Sequence, residues 1–407
     1  MKLPPRSARV ACTATALFAA ACADPAGPRV DAADVEDRPA FERAAAAGDA
    51  GQPIPDEYIV VFNGDVADAP GLAQRLAASQ GAEIRYTYQH ALRGFAARMS
   101  AQAAGALARN PNVAYVEQDQ EMYASTEQAG ATWGIDRIDQ RSLPLSTTYA
   151  YTATGSGVTA YIIDTGIRFS HGEFDGRATS GFDAVDGGAA DDCNGHGTHV
   201  AGTVGGETYG VAKGVSLVAV RVLSCSGSGS TSGVIAGINW VTEHHTTGAA
   251  VANMSLGGGA STALDDAVRN SIADGVSYAI AAGNGNIIGI AQDACKYSPA
   301  RVAEAMTIGA SDRTDRKASF SNYGACVDFF APGVSITSAW YRSDADVNTI
   351  SGTSMATPHV AGVAALYLQS NGGATPAQVR DALFAGTTKG AVSSAKTTNN
   401  HLLFSGY

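Results

Sequence analysis

The chain lacks the marks of several large protein classes. Lys and Arg number 27 against 38 Asp and Glu, a net charge of −11, and no basic run or RNA-binding signature occurs. That balance argues against nucleic acid as a main partner, because phosphate binding needs a basic face. Neither H-E-x-x-H nor G-x-S-x-G is present, so the sequence offers no zinc-protease helix and no lipase-type nucleophile elbow. Cysteines number six, and none stand at the close spacing of a structural zinc site. The one apolar candidate for a membrane span, residues 10–21, is shorter than the ~20 residues a helix needs to cross.

What is present points to an exported, folded chain. At 407 residues with 45% hydrophobic content, there is room for two or three domains and a large core. Lys2, Arg6 and Arg9 precede the apolar stretch, and Ala21-Cys22-Ala23 fits a small-x-small cleavage site. Residues 1–23 read as a signal peptide, which predicts a secreted, extracellular protein. Ala19-Ala20-Ala21-Cys22 also resembles a lipoprotein processing box without its usual leucine; a lipid anchor on Cys22 is the alternative. Outside the leader stand Cys193, Cys225, Cys295 and Cys326. An even number in an exported chain predicts two disulfides, with three pairings open.

Residues 24–55 are rich in Ala, Asp, Pro and Gly without apolar periodicity and read as a linker. A compact unit over 56–122 follows. Strands are expected at 57–62, 83–88, 94–99 and 113–117, and helices at 69–79 and 100–109 with Ser100 as N-cap. The order β-α-β-β-α-β is that of a small ferredoxin-like α+β domain. Residues 123–132 are small and polar, a natural place for a proteolytic cut. Over 133–407 strands alternate with helices. Strands at 158–163, 216–223, 250–254, 277–281 and 306–308 are short apolar runs, as suits a mostly parallel sheet covered on both faces. Helices are expected at 232–245, 262–274, 354–369 and 376–384. The result is a three-layer α/β domain whose ligands bind beyond the carboxyl ends of its strands.

Three segments far apart in the chain carry chemistry. Residues 160–166 (AYIIDTG) end an apolar strand on Asp164. Residues 194–202 (NGHGTHVAG) offer His196 in a glycine-rich turn, with His199 three residues on. Residues 351–359 (SGTSMATPH) place Ser354 where glycine gives way to a helix. Alone, each has an ordinary explanation: turn acid, satisfied core histidine, N-cap serine. Together they supply the acid, base and hydroxyl that attack on a carbonyl requires at neutral pH. Gly352 permits close backbone approach, a helix N-terminus favours developing negative charge, and Pro358 is tolerable in a first turn. Asn284, in Ala281-Ala282-Gly283-Asn284-Gly285, is either a turn residue or an amide donor to an oxyanion. Spacing alone does not choose between His196 and His199.

These segments, in the order Asp, His, Ser, join the stretches 192–199 (DCNGHGTH), 220–225 (VRVLSC), 253–258 (NMSLGG) and 318–324 (ASFSNYG). The whole resembles the subtilisin family of serine proteases, in its proteinase K branch, over residues 130–404. The resemblance implies a monomeric serine endopeptidase of broad specificity acting on proteins and peptides. Ser354 would be nucleophile, His196 the base, Asp164 its orienting acid, and Asn284 with the Ser354 N–H the oxyanion hole. Ser255-Leu256-Gly257 and Ala281-Ala282-Gly283 would wall the pocket for the residue before the scissile bond. Gly227, Ser228 and Gly229 would pair with extended substrate. The resemblance selects the pairings Cys193–Cys225 and Cys295–Cys326. It implies structural Ca2+ at Asp328 with the carbonyls of Ala303 and Ala305, and at Asp136, Asp139, Gln140, Ser146 and Thr148. Residues 56–122 resemble the family's propeptide, a folding helper and inhibitor whose tail occupies the active site until the enzyme cuts it near 124–126.

Overall fold

Period-two alternation along the strands decides which side chains enter which layer. The computed structural model describes residues 41–42, 53–120, 126–245, 248–286 and 288–407. The signal peptide, Cys12, Cys22, most of the linker and residues 124–125 of the expected cut lie outside the described residues. The described chain divides into two compact units, one around residues 55–119 and one over 120–407.

The smaller unit runs β1 (Phe41–Glu42), β2 (Pro53–Phe62), α1 (Ala69–Gln80), β3 (Glu83–Tyr88), β4 (Gly94–Arg98), α2 (Ala101–Leu107) and β5 (Val113–Gln120). Its sheet order is β1-β5-β2-β4-β3. The linker reading missed β1, which pairs parallel with β5 and covers what would otherwise be an open edge. Val60, Phe62, Phe95 and Val116 from the sheet meet Ala73, Ala77, Ala104 and Leu107 from the helices. Small alanines let the helices lie close to the sheet. Asp68 caps α1 through Gly71 N, and Ser100 caps α2 through Ala103 N at 3.2 Å.

In the larger unit, α3 (Trp133–Ile138) lies between the paired strands β6 (Thr126–Ala129) and β7 (Thr148–Tyr151). The central sheet contains β8 (Thr159–Asp164), β9 (Ala178–Asp183), β10 (Ser216–Arg221), β11 (Ala250–Met254), β13 (Ser277–Ala281), β15 (Met306–Ser311), β16 (Phe329–Pro332), β19 (Thr388–Lys389) and β20 (His401–Leu402). Two short antiparallel pairs stand apart: β12 (Gly258–Gly259) with β14 (Tyr297–Ser298), and β17 (Ile336–Ala339) with β18 (Val347–Ile350). The central order is β19-β20-β16-β15-β13-β11-β8-β10-β9. Every pairing in it is parallel except β19 with β20.

Both faces are covered. Ile162, Val251 and Ala279 join the core beneath α4 (His196–Gly205) and α7 (Thr353–Ser370). Their chain neighbours Ile163, Ala252 and Ile280 join the core beneath α5 (Thr231–His244) and α6 (Thr262–Ala273). A last helix, α8 (Pro376–Gly386), starts on a capping box between Thr375 and Gln378.

The glycine-rich turn expected at His196 is the start of α4 instead. Its sequence, HGTHVAGTVG, is poor in strong helix formers, so tertiary packing decides. A Cβ on Gly197 would stand 2.2 Å from the Gly166 carbonyl, and one on Gly202 2.4 Å from Ser338 Oγ. Those glycines let α4 sit against its neighbours. Because β8, β11 and β13 are parallel, Asp164, Ser255 and the 282–284 turn all emerge at one edge of the sheet.

Candidate active site

Asp164 ends β8 fully buried. Its Oδ1 accepts from Thr165 N at 2.8 Å and lies 2.7 Å from His196 Nδ1. The other oxygen, Oδ2, is buried without a hydrogen-bond partner. His196 opens α4, and Asn194 Oδ1 accepts its backbone N–H. Burial lowers the affinity of this imidazole for a proton, but Asp164 and Asp192 outweigh burial and raise its pKa above the usual value. His199 goes elsewhere. It is fully buried, with Nε2 3.0 Å from the Ile336 carbonyl and its ring edge-on to Trp340. Burial drives its pKa down to about 4. The difference between the two histidines lies in how α4 packs, which their spacing does not encode.

Ser354 is the second residue of α7. Its Oγ donates to the Ser255 carbonyl at 3.1 Å, while Ser255 Oγ donates to the Ser354 carbonyl at 2.8 Å. Pro358 explains the second bond. It is the sixth residue of α7, not a first-turn residue as expected, because the helix starts at Thr353. A proline there has no N–H for the carbonyl four residues back. That carbonyl belongs to Ser354, and Ser255 satisfies it from another segment. Asn284 follows β13 and is exposed. Its Oδ1 accepts from Thr353 N at 2.8 Å and Thr353 Oγ1 at 2.9 Å. With the carbonyl side held, the amide Nδ2 faces away from Thr353. A Cβ on Gly352 would come 3.3 Å from that nitrogen.

Two adjoining compartments share the wall Leu256 to Gly259. One is lined by His196, Gly227, Ser228, Gly229 and Ser255 over Leu223, Val234 and Leu264. The other is lined by Ala281, Ala282, Gly283, Asn284 and Ser354, with Tyr297 and Ala300. Cys193 is bonded to Cys225, joining the turn before His196 to the 225–229 segment, and Cys295 is bonded to Cys326. Asn194 Nδ2 adds a 3.0 Å bond to the Cys225 carbonyl.

Sequence reasoning gave no hydrogen-bonding role to Asp192 or Thr353. Asp192 Oδ1 accepts from Thr165 Oγ1, Asn194 N and Gly195 N, and Oδ2 from Thr198 N and Oγ1. This buried carboxylate ties the end of β8 to the start of α4. The signal was only its place inside the DCNGHGTH stretch.

The two oxygen-rich sets differ in what they offer a cation. Asp136 Oδ1 accepts from Ser146 N and Oγ, and Oδ2 from Thr147 N. Gln140 Oε1 accepts from Ser146 N, and Ser146 Oγ meets Thr148 Oγ1 at 2.9 Å. Asp139 keeps a buried Oδ1 without a partner. Burial, then Asp136 and Glu127, push its carboxyl up to about 6. Two carboxylates, an orphaned oxygen and two hydroxyls suit a hard cation. At the second set, burial pushes Asp328 up to about 6, and Thr307 N binds one of its oxygens. There Arg380 Nη1 already donates to the Ala303 carbonyl at 2.6 Å. The set around Asp328, Ala303 and Ala305 thus has the Arg380 guanidinium beside it. Among the described residues no group of three or more His, Cys, Asp or Glu is placed to hold a metal.

The Subtilase family model matches residues 155–403, and the Peptidase inhibitor I9 model matches residues 57–125. An extracellular serine proteinase of Thermus sp. (strain Rt41A) is 56% identical over 376 residues, 87% of this chain and 90% of that protein. Alkaline serine exoprotease A of Vibrio alginolyticus is 51% identical over 369 residues, 86% of this chain and 68% of that protein. The crystal structure of a cold adapted subtilisin-like serine proteinase aligns with TM-score 0.65 at 58% identity, covering 68% of this chain and 99% of that one. The chain belongs to the subtilase family: it is a serine protease, a hydrolase of peptide bonds, with an I9 inhibitor domain preceding its peptidase domain.

Proposed function

We propose that this protein is a secreted, monomeric endopeptidase of broad specificity, made as a zymogen, and that Asp164, His196 and Ser354 form its catalytic triad. The observation that carries this reading is the 2.7 Å contact between His196 Nδ1 and a fully buried Asp164. It fixes the tautomer that leaves Nε2 free to accept a proton. Ser354 Oγ turns from the Ser255 carbonyl and attacks the substrate carbonyl as His196 takes its proton. Negative charge then collects on the carbonyl oxygen, where Asn284 Nδ2 and the Ser354 N–H donate to it. His196 returns the proton to the leaving amine, and water cleaves the acyl-enzyme by the same relay in reverse.

Recognition rests largely on backbone. An extended peptide pairing with Gly227 to Gly229 and with Ser255 to Gly257 is held through main-chain groups, which read little sequence. Ala281, Ala282, Gly283 and Ala300 give the adjoining pocket small, mostly apolar walls and favour an apolar residue before the scissile bond. Residues 56–122 serve as inhibitor and folding helper, and the chain cuts itself near 124–126. Slow folding of a parallel sheet with many distant contacts makes such a helper useful. A hard cation at Asp136 and Asp139 would neutralise two close carboxylates. Gln140, Ser146 and Thr148 complete its oxygen donors, and Ca2+ matches that donor set.

Casein digestion by the purified protein, with and without a chelator, tests this reading, together with N-terminal sequencing of the product. We expect digestion, a mature N-terminus within a few residues of Thr126, and a lower melting temperature under chelation. Absence of digestion, with no labelling by a serine-directed fluorophosphonate, would sink the triad assignment.

A further inference from the structure

The stretch ASFSNYG has no part in the chemistry described so far, yet its asparagine is wired to the turn that carries Asn284. Asn322 is almost fully buried. Its Nδ2 donates to the Ala282 carbonyl at 2.8 Å. Its Oδ1 accepts from Gly285 N at 3.0 Å and from Gln292 N at 2.8 Å. Its backbone N–H donates to the Gly283 carbonyl at 3.0 Å. Asn322 therefore holds the chain on both sides of Asn284 while leaving Asn284 itself alone.

The turn needs such support. Gly283 and Gly285 have φ of +97° and +83°, a conformation open mainly to glycine, which is also the least restrained residue. Residues 286 and 288–290 beyond it are exposed. A Cβ on Gly283 would stand 2.6 Å from Asn322 Nδ2, so the two segments are in intimate contact. Asn322 is anchored in turn: Ser321 Oγ accepts from Ala310 N of β15 at 2.9 Å, and Lys317 Nζ donates to the Ser321 carbonyl at 2.7 Å. Strand β15 thereby braces the turn through a buried amide.

We propose that Asn322 is a positioning residue for the oxyanion hole, holding the backbone on both sides of Asn284 together with Thr353, whose Oγ1 accepts from Gly283 N at 3.1 Å and which sets the way the Asn284 amide faces. The proposal rests on the assignment of Asn284 as oxyanion donor. It predicts a loss that appears in kcat and leaves KM nearly alone, because the Asn284 donor matters most when charge has developed. It also predicts that Asn322 has no effect once Asn284 is gone.

The test is a double-mutant cycle on a chromogenic peptide, using enzyme expressed as the full chain and freed of its propeptide by added wild-type protease where a variant does not release it, with active sites counted by fluorophosphonate labelling. Asn284→Ala should lower kcat by about 10²–10³-fold, the loss typical of one such donor in this family. Asn322→Ala should lower kcat on the order of tenfold with KM within about twofold, and leave the acidic limb of the pH profile in place. The double variant should match Asn284→Ala within about twofold. Asn322→Ser loses the amide donor to Ala282 without setting a charge there and keeps a hydroxyl for a neighbouring N–H, so it should fall between wild type and Asn322→Ala. If Asn322→Ala does not fold, Asn322→Ser takes its place in the cycle. Multiplying losses in the double variant, or no loss in either Asn322 variant, overturn the proposal. No loss in Asn284→Ala instead overturns the oxyanion assignment beneath it.

Discussion

Ser230, Ser261 and Thr375 begin α5, α6 and α8 by accepting a backbone N–H from the first turn, at Gly233, Leu264 and Gln378. Gly195 and Gly352 begin α4 and α7 with no side-chain cap at all. The capped helices support the sheet. Short α3 also starts without a side-chain cap bond, at Thr132; of the longer helices, the uncapped pair carries His196 and Ser354. A cap occupies an N–H and fills the space in front of it, and the proposed role of the α7 start needs both. At α4 the lost cap is replaced from outside by Asp192 and Thr165 Oγ1, the latter accepting from Gly197 N at 2.8 Å. At α7 Asn284 takes Thr353 N, and the next N–H is the proposed oxyanion donor. A cap is worth about 1 kcal/mol, so a start on α7 that leaves one N–H for the substrate is a modest sacrifice of stability.

The comparison predicts where damage is functional and where it is structural. Ser354→Ala, in the uncapped class, should lower hydrolysis by more than about a thousandfold without changing the fold, measured on casein and by circular dichroism. The same variant should fail to release its propeptide by itself; normal maturation would remove the self-processing claim.

Acid should strike the uncapped pair next. His199 in α4 and His359 in α7 are buried, and burial lowers both to about 4. The unfolded chain binds these protons near pH 6.5, so their contribution is complete above 6.5 and declines as pH falls towards 4. Each is worth roughly 3 kcal/mol across that window. Melting temperature against pH for the inhibited enzyme checks this, and His359→Gln should flatten the curve.

Gly352→Ser should give α7 a cap. The backbone there is extended, so serine fits, but its Cβ would press on Asn284 Nδ2 at 3.3 Å. We expect kcat to fall about tenfold while melting temperature holds or rises. A fully active variant would show that α7 does not need its bare start. Thr375→Ala, in the capped class, should cost about 1 kcal/mol and leave kcat and KM unchanged, read by urea unfolding and peptide hydrolysis.

Legibility in the sequence followed locality. Strands β11 and β13 coincide with their predicted ranges because a strand buried on both faces is an unbroken apolar run. Helix α4 did not show, because glycine, threonine and valine carry little helical preference and packing decided. Asp164, His196, Ser354 and Asn284 stood out because each sits in a short glycine-marked segment. Asn322, Thr353 and Asp192 did not, because their work is hydrogen bonding to partners up to 70 residues away, and no local pattern records that. Pro358 was read one turn early, and only the Ser255 partner explains how a proline is tolerated there.

The bridge between Cys193 and Cys225 spans the turn that presents the imidazole and the ribbon that is to grip the peptide. On the roles proposed for them, cleaving that one covalent link would loosen proton handling and substrate capture in a single event. Opening Cys295–Cys326 touches neither segment. A reductant therefore has two unequal targets in this enzyme, and partial reduction should yield inactive molecules before unfolded ones.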